Sequence, residues 1–86
     1  MKSLLLLAIA GWITFPLAVA AKDDFYGIIQ QRPSGKVGTW TISGQSIQVT
    51  EQTQLQGQLV VGSCVEVDFE NDRVDEIEAE PMSKCS

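Results

Sequence analysis

The stretch that decides the fold runs from Cys64 to Glu70 and reads CVEVDFE. Apolar and acidic side chains alternate along it, a pattern typical of a β-strand with one face on a hydrophobic core and the other in water. The inward residues are Val65, Val67 and Phe69, and the outward ones are Glu66, Asp68 and Glu70. We therefore predict a strand over 64–70 with a purely acidic outer face.

The segment that follows predicts a hairpin. Residues 71–72 (ND) fit a two-residue loop between antiparallel strands. The returning strand, over 73–80, carries Val74 and Ile77, which are three positions apart and cannot both face inward on a regular strand. A β-bulge near residues 75–76 would bring both side chains into the core.

The segments upstream of residue 64 also show the alternation that is typical of β-strands. Strands are predicted over 25–32, 38–43 and 46–50, whereas the glutamine-rich stretch 51–58 (EQTQLQGQ) is predicted to be the least structured. Five short strands with tight turns and no long helix make this an all-β chain, and predict a small five-stranded barrel that is closed or nearly so. An open sandwich is the alternative architecture.

Three residues also carry expectations of burial or exposure. Trp40 falls on the apolar face of the segment GTWTIS and is predicted to lie in the core. Arg32 and Lys36 flank a turn cluster, Pro33-Ser34-Gly35, and are predicted to be solubilising surface charges.

The N-terminus reads as a cleavable secretory signal. A charged start is followed by the apolar run 4–13, and Ala18-Val19-Ala20 then provides a small-x-small cleavage pattern. We expect cleavage between Ala20 and Ala21, which leaves residues 21–86 as an acidic domain with a C-terminal tail, periplasmic or secreted. An uncleaved membrane anchor is the alternative, since the apolar stretch approaches the length that spans a bilayer.

Charge excludes some partners. The chain has six basic and eleven acidic residues, a net charge of −5, and loses the positive charge of Lys2 with the signal. Nucleic acid and anionic membrane surfaces both require a cationic protein surface, so neither is an expected partner. The acidic residues concentrate in one hairpin, which is the predicted interaction face: Glu66, Asp68, Glu70, Asp72, Asp75, Glu76 and Glu78.

The cysteines predict a structural disulfide. Cys64 and Cys85 are the only two in the chain, and in an oxidising compartment such a pair in a small domain forms a bridge. Chain entropy assigns a loop of about 20 residues roughly 3 kcal/mol of stabilisation. Reduced thiols with Met82 would instead suit Cu(I). A redox role is the third alternative, although a reactive pair favours the spacing C-x-x-C.

Catalysis is not expected. The chain has no histidine, which removes the commonest general base, and outward carboxylates keep ordinary acidity. The acidic run 68–79 does not complete a calcium loop, because Arg73 stands where glycine is needed and Ala79 where glutamate is needed. Weak Ca²⁺ binding on the acidic face is all that this run suggests. No cofactor is predicted.

Four short motifs, in order, resemble one known family. They are F-x-G-x-I at 25–29, G-x-W-x-I at 38–42, V-T-x-x-T at 49–53 and V-G-x-x-V-E-V at 61–67. This order is similar to that of exported bacterial proteins grouped as domain of unknown function 5666. The resemblance implies a small barrel like that of the oligonucleotide/oligosaccharide-binding (OB) proteins. It implies no activity and no catalytic residue.

The sequence as a whole predicts a monomeric, exported, non-enzymatic binding or interaction module. Its acidic face would meet a cationic partner, either a protein or a small ligand. A periplasmic metal-handling protein, binding Cu(I) through Cys and Met or Ca²⁺ weakly on the acidic face, is the alternative function.

Overall fold

A computed structural model of the protein describes residues 23–86, and the alternating segments form six β-strands there. They are β1 (Phe25–Gln31), β2 (Gly38–Ile42), β3 (Gln45–Val49), β4 (Gln54–Gln56), β5 (Cys64–Glu70) and β6 (Arg73–Ala79), followed by a 3-10 helix over Met82–Cys85. All six belong to one sheet of order β3-β2-β1-β5-β6-β4. The prediction of an all-β chain is confirmed. The predicted signal, 1–20, and its cleavage point between Ala20 and Ala21 lie outside the described residues.

The prediction of a small five-stranded, OB-like barrel, closed or nearly so, is confirmed only as far as the all-β class, because the sheet has six strands and is open between β3 and β6. Closure of the barrel would require β3 to hydrogen-bond with the edge of β6 that faces away from β5. Part of that edge is taken by β4, which pairs in parallel with Glu76–Glu78. Beyond it, the hydroxyl of Thr53 donates a hydrogen bond of 2.9 Å to the carbonyl of Val74. The stretch predicted to be least structured therefore supplies a sixth strand and a side-chain contact that occupy the edge.

Two tight hairpins set the strand register. Asn71 and Asp72 have φ of 54° and 63°, and Ser43 and Gly44 have φ of 46° and 84°. Positive φ at both central residues is the signature of the type I′ turn, whose twist matches that of the flanking strands. The predicted hairpin loop at 71–72 is confirmed.

The predicted bulge is also present in the second hairpin. Asp68 lies opposite Glu76, whereas the next residue of β5, Phe69, lies opposite Val74, so that Asp75 is left over. The extra residue shifts the alternation by one position. Val74 and Ile77 are therefore both buried, at 8% and 0% exposure.

The core centres on Trp40, which is fully buried as predicted. Its indole N–H donates to the carbonyl of Lys36 at 2.9 Å, and the Arg32 guanidinium lies 4.0 Å from its ring centroid. Arg32 also donates to the carbonyls of Leu59 and Gly35, at 2.6 and 2.9 Å. Its prediction as a solubilising charge is wrong, because this side chain covers the core and joins two loops.

The predicted disulfide joins Cys64 and Cys85, whose Cα atoms are 5.9 Å apart. Cys64 starts β5 and is 2% exposed, while Cys85 ends the 3-10 helix. The bridge therefore fastens the C-terminal tail onto the outer face of the sheet. Within residues 23–86, no helix has the length and apolar character needed to cross a membrane.

Candidate cation-binding face

Four carboxylates form two directly opposed pairs on the outer face of β5 and β6. The register places Glu66 opposite Glu78 and Asp68 opposite Glu76. We call these four residues the carboxylate ladder. All four side chains are half-buried. Like charges placed directly opposite each other on neighbouring strands destabilise a sheet, so this arrangement has an electrostatic cost in the isolated protein.

Two further acids extend the ladder. Carboxylate oxygens of Asp24, Glu66 and Asp68 lie within 4.8 Å of one another, and so do those of Glu66, Glu78 and Glu80. Glu66 belongs to both groups and is the centre of the negative charge. Asp24 is held in place by a hydrogen bond of 2.8 Å that its Oδ1 accepts from the backbone N–H of Phe69.

Burial, together with the neighbouring acids, raises the pKa of Glu66 above its ordinary value. Burial is the largest cause, followed by the negative charge of Asp68, a hydrogen bond from the protonated Glu66 to that carboxylate, and the charges of Glu80 and Glu78. Each of these effects favours the neutral acid over the anion. The charged form of Glu66 is therefore less favourable in the folded protein than in water.

The same causes act on two other members of the ladder. Burial and the charge of Asp24 raise the pKa of Asp68, although its hydrogen bond from Glu66 opposes this. Burial, then the charges of Glu78 and Asp68, raise the pKa of Glu76, although its hydrogen bond from Gln56 opposes this. In addition, Oδ1 of Asp68 is buried and accepts no hydrogen bond. A buried carboxylate oxygen without a donor is costly, which adds to the cost of the ladder.

Three of the four basic side chains of residues 23–86 make contacts of their own, and the fourth, Arg73, starts β6 at the hairpin end. Arg32 covers Trp40, the Lys36 ammonium donates to the carbonyl of Glu51, and the Lys84 ammonium lies 5.6 Å from the ring centroid of Tyr26. Within this part of the chain, no ion pair neutralises the ladder. The described part of the chain thus presents a negative surface here, and Lys84 lies near it, over Tyr26, the β1 residue opposite Glu66.

The predicted interaction face is only partly a single surface. Glu66, Asp68, Glu76 and Glu78 do lie together, as the alternation indicated. In contrast, Glu70, Asp72 and Asp75 line a separate groove at the hairpin end. The predicted face left out Asp24 and Glu80, although Asp24 adjoins the first predicted strand and Glu80 ends the last one. Their place beside Glu66 follows from the pairing of β1 and β6 with β5, which no local pattern specifies.

The raised pKa values predict that the protein loses stability as pH rises. A carboxyl with a folded-state pKa above its unfolded value contributes stability that is fully present below the unfolded pKa and is lost as pH rises through the folded one. The ordinary values are 4.5 for Glu66 and Glu76 and 3.8 for Asp68, so the loss should occur above these values. We expect a lower melting temperature at pH 7.5 than at pH 5, measured by circular dichroism.

Glu66→Gln should flatten that dependence, because it removes the carboxylate that belongs to both acidic groups. Glu51→Gln is the matched control, since it removes one exposed acid away from the ladder. Equal pH profiles for the wild type and Glu66→Gln would show that the ladder is not crowded.

Comparison with known proteins gives one match. A family model described as "Domain of unknown function (DUF5666)" matches residues 26–79, more than half of the chain. This segment contains β2 to β6 and all of β1 except Phe25. It includes all four ladder residues and omits Asp24, Glu80 and Cys85. No curated protein and no solved structure matches the chain.

Proposed function

The chain belongs to the DUF5666 family, whose description assigns no activity, and we propose that it is an exported, non-enzymatic binding module whose carboxylate ladder binds a cationic partner or ligand. One observation carries this proposal. Glu66 faces Glu78 and Asp68 faces Glu76 on a sheet surface where no basic side chain of residues 23–86 neutralises them.

A bound cation would remove the cost of the ladder. Opposed carboxylates repel each other, and half-burial keeps this repulsion from being fully screened by water. An ammonium or guanidinium group between two opposed carboxylates converts that repulsion into attraction. The net charge of −5 also attracts cationic partners over a distance and speeds their encounter with the protein.

Export is supported by the Cys64–Cys85 bridge, because disulfides persist in oxidising compartments such as the bacterial periplasm. It is also supported by the predicted signal, which would place the protein in the periplasm or outside the cell. The lack of histidine in the sequence supports a non-enzymatic role. We propose that the module acts as a monomer.

A lysine peptide tests the proposal directly. Pentalysine should bind the full mature protein in isothermal titration calorimetry. Its affinity should fall as salt rises from about 20 to about 200 mM, because the screening length becomes about threefold shorter. Glu66→Gln and Glu78→Gln should each weaken binding about fivefold, since two charges near 4 Å in water interact by about 1 kcal/mol.

Glu51→Gln serves as the control here too, because it changes the net charge equally and leaves the ladder intact. Equal weakening by Glu51→Gln and the ladder variants would mean that only the overall charge attracts the peptide. That result, or an affinity that does not depend on salt, would contradict the proposal.

Ca²⁺ is the second candidate ligand. The grouping of Asp24, Glu66 and Asp68 within 4.8 Å, with the unpartnered Oδ1 of Asp68, favours a hard cation that takes oxygen ligands. Ca²⁺ should then bind in calorimetry with a stoichiometry of one and be lost in Asp68→Asn. A Cu(I) site through Cys64 and Cys85 would first need reduction of the bridge, since both sulfurs are in it.

A further inference from the structure

A groove lies where the sheet fails to close, between β3 and the end of the β5–β6 hairpin. Its volume is about 220 Å³. The apolar part of its lining consists of Ile47, Phe69 and Val74, and charged side chains from the hairpin surround this part. The groove is separate from the carboxylate ladder, none of whose four members lines it.

Within residues 23–86, β3 pairs only with β2, so its other edge borders this groove with backbone groups that no strand of this segment pairs. The tight turn after Ile42 makes Ile42 and Gln45 a hydrogen-bonded pair, and in an antiparallel ladder such pairs alternate with pairs that turn their N–H and C=O groups outward. Ser46 and Gln48 belong to the pairs whose backbone N–H and C=O groups point away from β2. Both line the groove, so their backbone donors and acceptors border it.

This edge lacks the usual protection against further strand pairing. Exposed edge strands are commonly blunted by charged side chains, proline or a bulge, or are very short. The sequence of β3, QSIQV, contains no charge and no proline, and its register with β2 is regular over five residues. The opposite edge, β4, is only three residues long. The free edge of β3 is thus suited to accept another strand.

The acidic residues that line the groove favour a basic segment as the added strand. Glu70 and Asp75 contribute carboxylates to its lining, with Asp72 also present and Arg73 as the basic residue. The volume is below the 300–1,000 Å³ typical of small-molecule pockets and suits a single long side chain. A lysine or arginine has an apolar stem for the floor and a cationic head for the carboxylates.

We propose that the groove and the β3 edge together bind an extended, basic segment of a partner protein. The segment adds a strand to β3 by hydrogen bonds with the backbone of Ser46 and Gln48. One of its lysine or arginine side chains enters the groove, with its stem on Ile47 and its charge beside Glu70 and Asp75.

A second copy of this chain fits the edge less well than a basic partner. The chain has a net charge of −5, and β3 itself has no basic side chain to place beside Glu70 and Asp75. Pairing of two β3 edges would also bring two acidic hairpins near each other. Charge complementarity therefore favours the basic partner.

The test uses a blocked seven-residue peptide of alternating threonine and valine with lysine at its centre, and the same peptide with central glutamate. Both are titrated into the full mature protein and followed by amide NMR. The lysine peptide should bind at least fivefold more tightly, and the amides of Ser46 and Gln48 should shift most. Equal binding of the two peptides, or shifts confined to the ladder strands, would overturn the proposal.

Side-chain variants test the groove. Glu70→Gln and Asp75→Asn should each weaken the lysine peptide about fivefold, whereas Arg73→Gln should strengthen its binding. Glu51→Gln is the control, because it removes one exposed acid that belongs neither to the groove lining nor to the ladder, and it should leave this affinity unchanged. Loss of affinity in Glu66→Gln alone would support the ladder and refute the groove.

Backbone pairing has its own test. Gln48→Pro removes the outward N–H and should abolish binding while the chemical shifts of the core remain. If that variant does not fold, a lysine peptide with alternate backbone nitrogens methylated gives the same information, since it should fail to bind the wild type. Binding of the methylated peptide, or concentration-dependent self-association that shifts Ser46 and Gln48 without peptide, would contradict the proposal.

Discussion

Replacement of Val67 by aspartate is expected to unfold the domain. Val67 is fully buried in the middle of β5, between its pairing partners Phe25 and Ile77. A carboxylate at this position would have no basic partner and no water, and such a group costs several kcal/mol. Small domains are stable by roughly 5 kcal/mol or little more, so this cost removes most or all of the stability.

The unfolding should be evident as loss of the β-sheet circular dichroism signal and collapse of amide dispersion in NMR. Val61→Asp is the matched control, because it introduces the same charge at a valine that is 62% exposed. That variant should remain folded. A dispersed, cooperative Val67→Asp protein would mean that the inward face of β5 has been misassigned.

Loss of the disulfide is expected to have the next largest effect. Cys85→Ser releases the 3-10 helix from the start of β5. The entropic estimate for a loop of about 20 residues is roughly 3 kcal/mol. In a domain of this size, that loss lowers the melting temperature by roughly 12–24 °C. Thermal unfolding followed by circular dichroism measures it.

Reduction of the wild type should have the same effect, since it opens the same bond. Cys85→Ser should then be insensitive to reductant, and Ser86→Ala, next to the bridge, should melt like the wild type. A Cys85→Ser protein with an unchanged melting temperature would contradict a stabilising role for the bridge.

Much of the fold could be predicted from local pattern. The alternation in CVEVDFE places β5 and its inward face correctly, because a strand with one buried face must alternate. The spacing of Val74 and Ile77 predicts the bulge, since only an extra residue can turn both to the core. Two cysteines in a small domain predict the bridge that the structure contains.

The open sheet could not be predicted this way. β4 consists of Gln54–Gln56, whose only apolar residue is Leu55, so it has no alternation to detect. It is a strand because its backbone pairs in parallel with β6, some 22 residues away in sequence. Such a contact depends on the assembled sheet. It also takes the edge of β6 that barrel closure would have needed.

The candidate site, too, could be predicted from local sequence pattern only in part. Alternation along β5 places Glu66 and Asp68 on one face, but only the cross-strand register shows that each faces another acid. The bulge at Asp75 then separates the hairpin end from the ladder. Arg32 is a comparable case on the core side, because its contact with Trp40 joins residues eight apart across a turn and leaves no periodic signal.

The central claim is that the ladder is a crowded, unneutralised anionic face that binds cations. Its most direct test is the pKa of the Glu66 carboxyl, measured by carbon-13 NMR with and without pentalysine. We predict a pKa above the ordinary glutamate value in the free protein, because of burial and the charges of Asp68, Glu80 and Glu78. Pentalysine should lower it, since a bound cation favours the anion. An ordinary value that does not change with the peptide would contradict the claim.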